Sequence, residues 1–154
     1  MSSMAIIRDF LAQKRIAVVG VSHDPKDFSR GLLRTLRARG YDAVAVNPDL
    51  KSADDAPCYA HLSEITPSVD GALVMTSPAI TDEIVQECAK LKISRVWMFR
   101  AGGKGSVSPQ AIEFCEEHGI AVVPGECPYM FLEGESWFHR LHGFMRKIAG
   151  SYPA

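Results

Sequence analysis

Short, nearly unbroken apolar runs alternate along this chain with longer segments in which apolar residues recur every three or four positions. The runs are Arg15–Gly20, Ala43–Val46, Gly71–Met75, Arg95–Phe99 and Ile120–Val123. Their length and lack of polar alternation predict strands covered on both faces. Between them, Ser29–Arg39 sets Leu32, Leu33 and Leu36 on one helical face, with Gly40 as its stop. Pro78–Leu91 turns Ile80, Ile84, Cys88 and Leu91 inward, with Ser77 as cap and Pro78 in the first turn. Pro109–His118 repeats that grammar: Ser108 caps, Ile112 and Cys115 face in, and Gly119 ends the helix. A further helix, Ser3–Gln13, precedes the first strand, and Ser52–Pro57 reads as a polar surface loop.

Strand–helix–strand alternation implies parallel pairing with right-handed crossovers. The expected fold is α/β: a doubly wound five-stranded parallel sheet, ordered 3-2-1-4-5, with helices on both faces. Ligands of such sheets bind at the carboxyl ends of the strands, beside strand 1, where the order reverses. The 154 residues fit one domain, 1–154, large enough to hold its own core. A net charge of −1 argues against broad electrostatic binding to nucleic acid or to an anionic membrane. Cys58, Cys88, Cys115 and Cys127 form no C-x-x-C pair and read as reduced thiols of a cytoplasmic protein. The opening residues do not have the form of a signal peptide, and no apolar run approaches the ~20 residues of a membrane span.

Three loops lie at the expected binding edge. The first runs Gly20-Val21-Ser22-His23-Asp24-Pro25-Lys26-Asp27-Phe28-Ser29-Arg30-Gly31. Gly20 allows close backbone approach to a phosphate, Ser22 offers a hydroxyl, and a helix opening near Ser29 aims N–H groups at an anion. Lys26 and Arg30 add positive charge, while Arg34, Arg37 and Arg39 continue down a solvated helix face. Ser22 stands where a dinucleotide fingerprint has its second glycine, and a plain strand–helix connection remains the alternative. The second loop, Val46-Asn47-Pro48-Asp49, has Asn47 where NAD enzymes commonly place an acid. Pro48 stiffens this turn and is expected to aim Asp49 elsewhere. The third loop, Met75-Thr76-Ser77-Pro78, brings hydroxyls and a helix N-terminus to the same crevice, although capping alone accounts for Ser77.

Together these loops resemble the stand-alone CoA-binding Rossmann-like proteins, related to the nucleotide-binding domain of succinyl-CoA synthetase. The carrying residues are Ile16-Ala17-Val18-Val19-Gly20-Val21-Ser22, then Gly40-Tyr41 with Val46-Asn47-Pro48. Val69-Asp70, Val96-Trp97 and Cys127-Pro128 extend the likeness, which covers roughly residues 13–128. The resemblance implies a Rossmann-like fold and coenzyme A or an acyl-CoA as ligand. It assigns Gly20, Val21 and Ser22 to phosphate, Asn47 and Pro48 to the adenine-ribose side, and Thr76, Ser77 and Pro78 to the facing wall. Lys26 and Arg30 are the cations nearest the implied phosphates.

The segment Phe99-Arg100-Ala101-Gly102-Gly103-Lys104-Gly105-Ser106 departs from the family pattern and lacks P-loop spacing. It reads as an anion-binding lid or as a connector. His23, in the first loop, is the best titratable candidate for proton transfer, and Cys127 is the best-placed thiol, but nothing in the sequence pairs either with an activating partner. His139 and His142 lack the further ligands a metal would need. The tail stripe Trp137, Phe138, Leu141, Phe144, Met145 and Ile148 follows helical spacing and packs on the domain or forms a homodimer contact. The residues thus predict a CoA-binding protein with no catalytic constellation. Two alternatives stay open: an NAD(P)-binding oxidoreductase or acyl-CoA-handling enzyme, and a regulatory interaction module with a vestigial nucleotide site.

Overall fold

The computed structural model describes residues 3–100, 103 and 105–132. Seven strands form one sheet: β1 (Arg15–Val19), β2 (Asp42–Val46), β3 (Ser52–Ala53), β4 (Ala56–Tyr59), β5 (Gly71–Val74), β6 (Arg95–Phe99) and β7 (Ala121–Glu126). The helices are α1 (Met4–Leu11), α2 (Phe28–Ala38), α3 (Pro78–Lys90) and α4 (Pro109–Glu117). The strand order is β3-β4-β2-β1-β5-β6-β7, and every pairing except β3 with β4 is parallel.

The α/β class and all five apolar strands are therefore present, but the five-stranded order 3-2-1-4-5 is corrected. The Gly71 strand pairs with β1, not outside β2. The place beside β2 is taken by β4, inside the segment read as a polar loop. Ser52 pairs with Pro57 and Ala53 with Ala56 in a hairpin whose two turn residues, Asp54 and Asp55, both have positive φ (52° and 62°). Such a turn matches the right-handed twist of the strands it joins. Pro57 is tolerated because β4 is short and carries only one neighbour beyond this small hairpin.

Alternation along the central strands sorts the core into two layers. Ile16 and Val18 pack with Ile7, Phe10, Leu32, Leu33 and Leu36 of α1 and α2. Ala17 and Val19 pack with Val85, Cys88, Ala111 and Cys115 of α3 and α4. Burial of this kind stabilises by roughly 25 cal/mol per Å² of apolar area. In α3 the buried positions are Thr81, Val85 and Cys88. Ile84 and Leu91 are half-buried and Ile80 stays 42% exposed, so the inward face expected of Ile80 is corrected by about one residue of helical rotation. Gly40 and Gly119, at φ +91° and +68°, follow the ends of α2 and α4 as left-handed terminators. Ser108 caps α4 by accepting the Ala111 amide. The tail stripe from Trp137 to Ile148, His139, His142 and Lys104 lie outside the described residues.

Candidate functional site

Parallel strands deliver β1, β2 and β5 to one edge, and their carboxyl ends open on a cleft of about 840 Å³. Gly20 ends β1 there, Asn47, Pro48 and Asp49 follow β2, and Met75, Thr76 and Ser77 follow β5. One face of α3, from Ile80 through Glu83, Ile84 and Glu87 to Lys90, makes the long wall. His61 and Ser63 also line the cleft, with the Ser63 amide donating to Glu87 Oε2 at 3.4 Å. Five of the nominated residues, Gly20, Asn47, Pro48, Thr76 and Ser77, therefore converge.

Gly20 has φ +96°, and a Cβ there would lie 3.0 Å from the Met75 carbonyl carbon and 3.1 Å from Thr76 Cγ2. The glycine is required first by the close approach of two strand ends. Asn47 ties the first and second loops together: its Nδ2 donates to the Val21 carbonyl at 2.7 Å and its Oδ1 accepts the Asp49 amide at 2.8 Å. That second bond fixes the Asp49 amide, and Asp49 lines the cleft, where Pro48 was expected to aim it elsewhere. Each end of the Asn47 amide makes one bond within the protein, and the exposed Pro48 ring beside it offers a flat ligand an apolar surface.

The N-termini of α2 and α3 at this edge differ. At α2, the Asp27 carboxylate accepts the Ser29 amide at 2.9 Å and the Ser29 hydroxyl at 2.7 Å. Ser29 Oγ accepts the Ser22 amide, Ser22 Oγ accepts the Asp24 amide, and Asp24 accepts the Lys26 amide. The first loop is thereby satisfied from within, and its own carboxylate takes the place expected for an anion at Ser29. Arg30 is buried and is also committed: Nη1 donates to the Ser22 and His23 carbonyls at 3.2 and 3.3 Å, and Nη2 to Asp54 at 3.0 Å. Arg34 donates to the same Asp54 carboxylate and to the Pro25 carbonyl. A hydrogen bond from Arg30 leads the causes that hold Asp54 below its usual carboxyl range, with both guanidinium charges adding to it against partial burial. Val21, Ser22, Lys26 and Arg30 do not line the cleft.

At α3 the N-cap is Ser77, whose side chain makes no capping bond, and Pro78 follows as the first helical residue without lining the cleft. Thr81 Oγ1 donates to the Ser77 carbonyl at 3.1 Å, so the 3.0 Å contact between the Thr76 and Thr81 hydroxyls must use the Thr76 proton. Thr76 therefore presents lone pairs, while the exposed Ser77 hydroxyl keeps its proton for a ligand. This helix end is open in the way the other was expected to be.

A family model described as a CoA binding domain matches residues 14–133. The chain belongs to this CoA-binding domain family. The uncharacterized protein YneT of Bacillus subtilis (strain 168) is 27% identical over 126 residues, covering 81% of this chain and 90% of its own. Among solved structures, Prb, the PH1109 protein redesigned for binding, superposes with a TM-score of 0.78 at 24% identity, over 89% of this chain and 96% of that one. The apo dinucleotide-forming acetyl-coenzyme A synthetase 1 of Ca. Korarchaeum cryptofilum gives 0.60 at 23% identity, over 71% of this chain and 25% of the synthetase. At these identities the structural likenesses establish the shared fold. The family match spans every loop of the cleft.

All four thiols are buried. Burial, reinforced by neighbouring groups, pushes Cys88 and Cys115 up to about 12. Burial also raises Cys58. The His23 side chain is exposed in the first loop and does not line the cleft. No cluster of three metal-ligating side chains occurs among the described residues. Likewise, no helix among them is long and apolar enough to cross a membrane.

Sequence reasoning missed Asp49, His61, Glu83 and Glu87 as cleft residues. The signal available for α3 was its row of Ile80, Ile84, Glu87 and Leu91, a single helical face of mixed polarity.

Proposed function

We propose that this protein binds CoA or an acyl-CoA, with the adenosine diphosphate portion in the cleft at the ends of β1, β2 and β5. The carrying observation is the convergence of Gly20, Asn47, Pro48, Thr76 and Ser77 on one 840 Å³ cleft within a chain of the CoA-binding domain family. In this reading Pro48 and Ile80 flank the adenine, two exposed apolar surfaces on opposite sides of the opening. The Ser77 hydroxyl and the open N-terminus of α3 meet the pyrophosphate, where a helix dipole favours negative charge. Gly20 lines that site directly, and Val21, buried in the first loop, supports it through its carbonyl bond to Asn47. Ser22, Lys26 and Arg30 serve it indirectly, through the conformation of the first loop, and Pro78 fixes the first turn of α3.

The protein supplies no catalysis of its own in this reading; among the described residues that line the cleft there is no cysteine, and the one histidine is His61. A cytoplasmic setting accords with four buried thiols. Calorimetry with CoA, NAD, NADP and ATP tests the assignment. Saturable heat with CoA is expected; micromolar NADP binding with no CoA signal would replace this reading by the NAD(P) alternative.

A further inference from the structure

A ligand of this kind divides into an adenine, a ribose and a pyrophosphate, and CoA adds a phosphate on the ribose. The cleft offers an apolar wall for the first and hydrogen-bond donors for the third. The ribose phosphate finds no equivalent provision. Among the described residues that line the cleft, the acids are Asp49, Glu83 and Glu87, and Lys90 is the one lysine or arginine. Lys90 lies thirteen residues beyond Ser77, about 20 Å along the helix at about 1.5 Å per residue. Glu83 and Glu87 stand between them, one turn apart on the same face.

The basic cluster of α2 does not correct this balance. Arg30 and Arg34 share the Asp54 carboxylate and hold three carbonyls of the first loop, those of Ser22, His23 and Pro25. Arg37 donates from Nε to the Ala43 carbonyl, away from the opening. Moving the Arg30 guanidinium to a ligand would leave the first loop without its inner bonds and Asp54 without one of its two cations. At the same time Asp49, three residues past the end of β2, lines the cleft, with its backbone amide held by Asn47 and its side chain exposed. An acid at the end of this strand accepts hydrogen bonds from free ribose hydroxyls and repels a phosphate in their place.

We propose that the cleft selects adenosine diphosphates whose ribose is unphosphorylated, and that Asp49 is the residue that sets this preference. This rests on the adenosine-diphosphate reading given above and narrows it. Two ligands share the required chemistry, dephospho-CoA and NAD, and they differ in what lies beyond the pyrophosphate.

The test is calorimetry on the full chain with CoA, dephospho-CoA and NAD, at low and at physiological salt. Dephospho-CoA is expected to bind about three- to tenfold more tightly than CoA, the scale of one exposed like-charge contact near a protein surface. The ratio should shrink as salt screens the repulsion. Asp49→Asn should bring the two affinities together, and Asp49→Lys should reverse their order. A stronger signal from dephospho-CoA than from NAD assigns the pantetheine arm to the protein, and the opposite order assigns the nicotinamide half. Equal or tighter binding of CoA by the unaltered chain, or a ratio indifferent to Asp49, overturns the preference while leaving the adenosine-diphosphate reading intact. Absence of binding by all three ligands removes both.

Discussion

Two helices begin at the same edge of the sheet, and they treat their first turns in opposite ways. The N-terminus of α2 is closed by Asp27, Ser29 and a chain of side-chain bonds through Ser22 and Asp24. The N-terminus of α3 carries a serine with no capping bond, followed by a proline. Both starts look alike as sequence: a strand, a few polar residues, then a helix. The difference is where the nearest carboxylate falls. Asp27 stands at the cap of its own helix and accepts the Ser29 amide, whereas the Ser77 side chain at the start of α3 makes no capping bond. A glycine-led turn therefore marks where two strand ends meet. Which helix end is available depends on what the loop does with its own acids.

The largest effect that would break this contrast is expected from Gly20→Ala. A methyl group 3.0 Å from the Met75 carbonyl carbon, at φ +96°, pries apart the seam between the first and third loops. A loss of about 3 kcal/mol in urea denaturation is expected. Retained stability would show that the two loops are not locked together.

Asp54→Asn comes next, at about 2 kcal/mol, because it leaves the buried Arg30 guanidinium with a neutral partner. The pH dependence follows from the lowered folded-state value of Asp54. The unfolded carboxyl takes up its proton first, so the stabilisation is complete above its ordinary range and is lost as pH falls through the lower, folded-state value. The acid limb of a stability–pH curve, below about pH 4, should therefore be shallower in Asp54→Asn. An unchanged limb would mean that the ion pair contributes nothing to holding the first loop.

Asp27→Ala should cost about 1 kcal/mol through the lost cap of α2. The smallest change in stability is expected from Ser77→Ala, below about 0.5 kcal/mol, because no capping bond is there to lose. That same substitution should weaken an adenosine-diphosphate ligand by about ten- to a hundredfold, the scale of a single hydrogen bond to a charged group. The pair of variants sharpens the comparison: one helix start should register in denaturation and the other in ligand titration. Equal behaviour of the two variants would erase the distinction.

The strands buried on both faces were legible because nothing but a covered strand accommodates runs such as Ile16–Val19 or Ala72–Val74. The β3–β4 hairpin was not. Its turn is Asp54-Asp55 where Asn-Gly or Asp-Gly would signal a hairpin, and Pro57 argues against a strand. Missing it displaced the Gly71 strand in the expected order and concealed the anchor of Arg30 and Arg34. Asp49 was misjudged for a related reason. The rigidity of Pro48 is written in the sequence, but the bond from the Asp49 amide back to Asn47 is not. Ile80 was assigned to the core because hydrophobicity marks a helix face without saying whether protein or a cleft covers it.

The amino-acid order by itself determined the α/β class, the five central strands, the Ser108 cap of α4, the glycine stops of α2 and α4, and the three loops that meet at one edge. These follow from local periodicity and from the conformational needs of glycine, proline and capping residues, which act within a few positions of the chain. Only the tertiary structure decided that α2's arginines hold a loop, that α3 keeps the open end, and that three acids line the cleft. The arginines of α2 reach their carboxylate across 20 or more residues, as Arg30 and Asp54 do. A charge declares its sign in the sequence, but folding decides which opposite charge it reaches first.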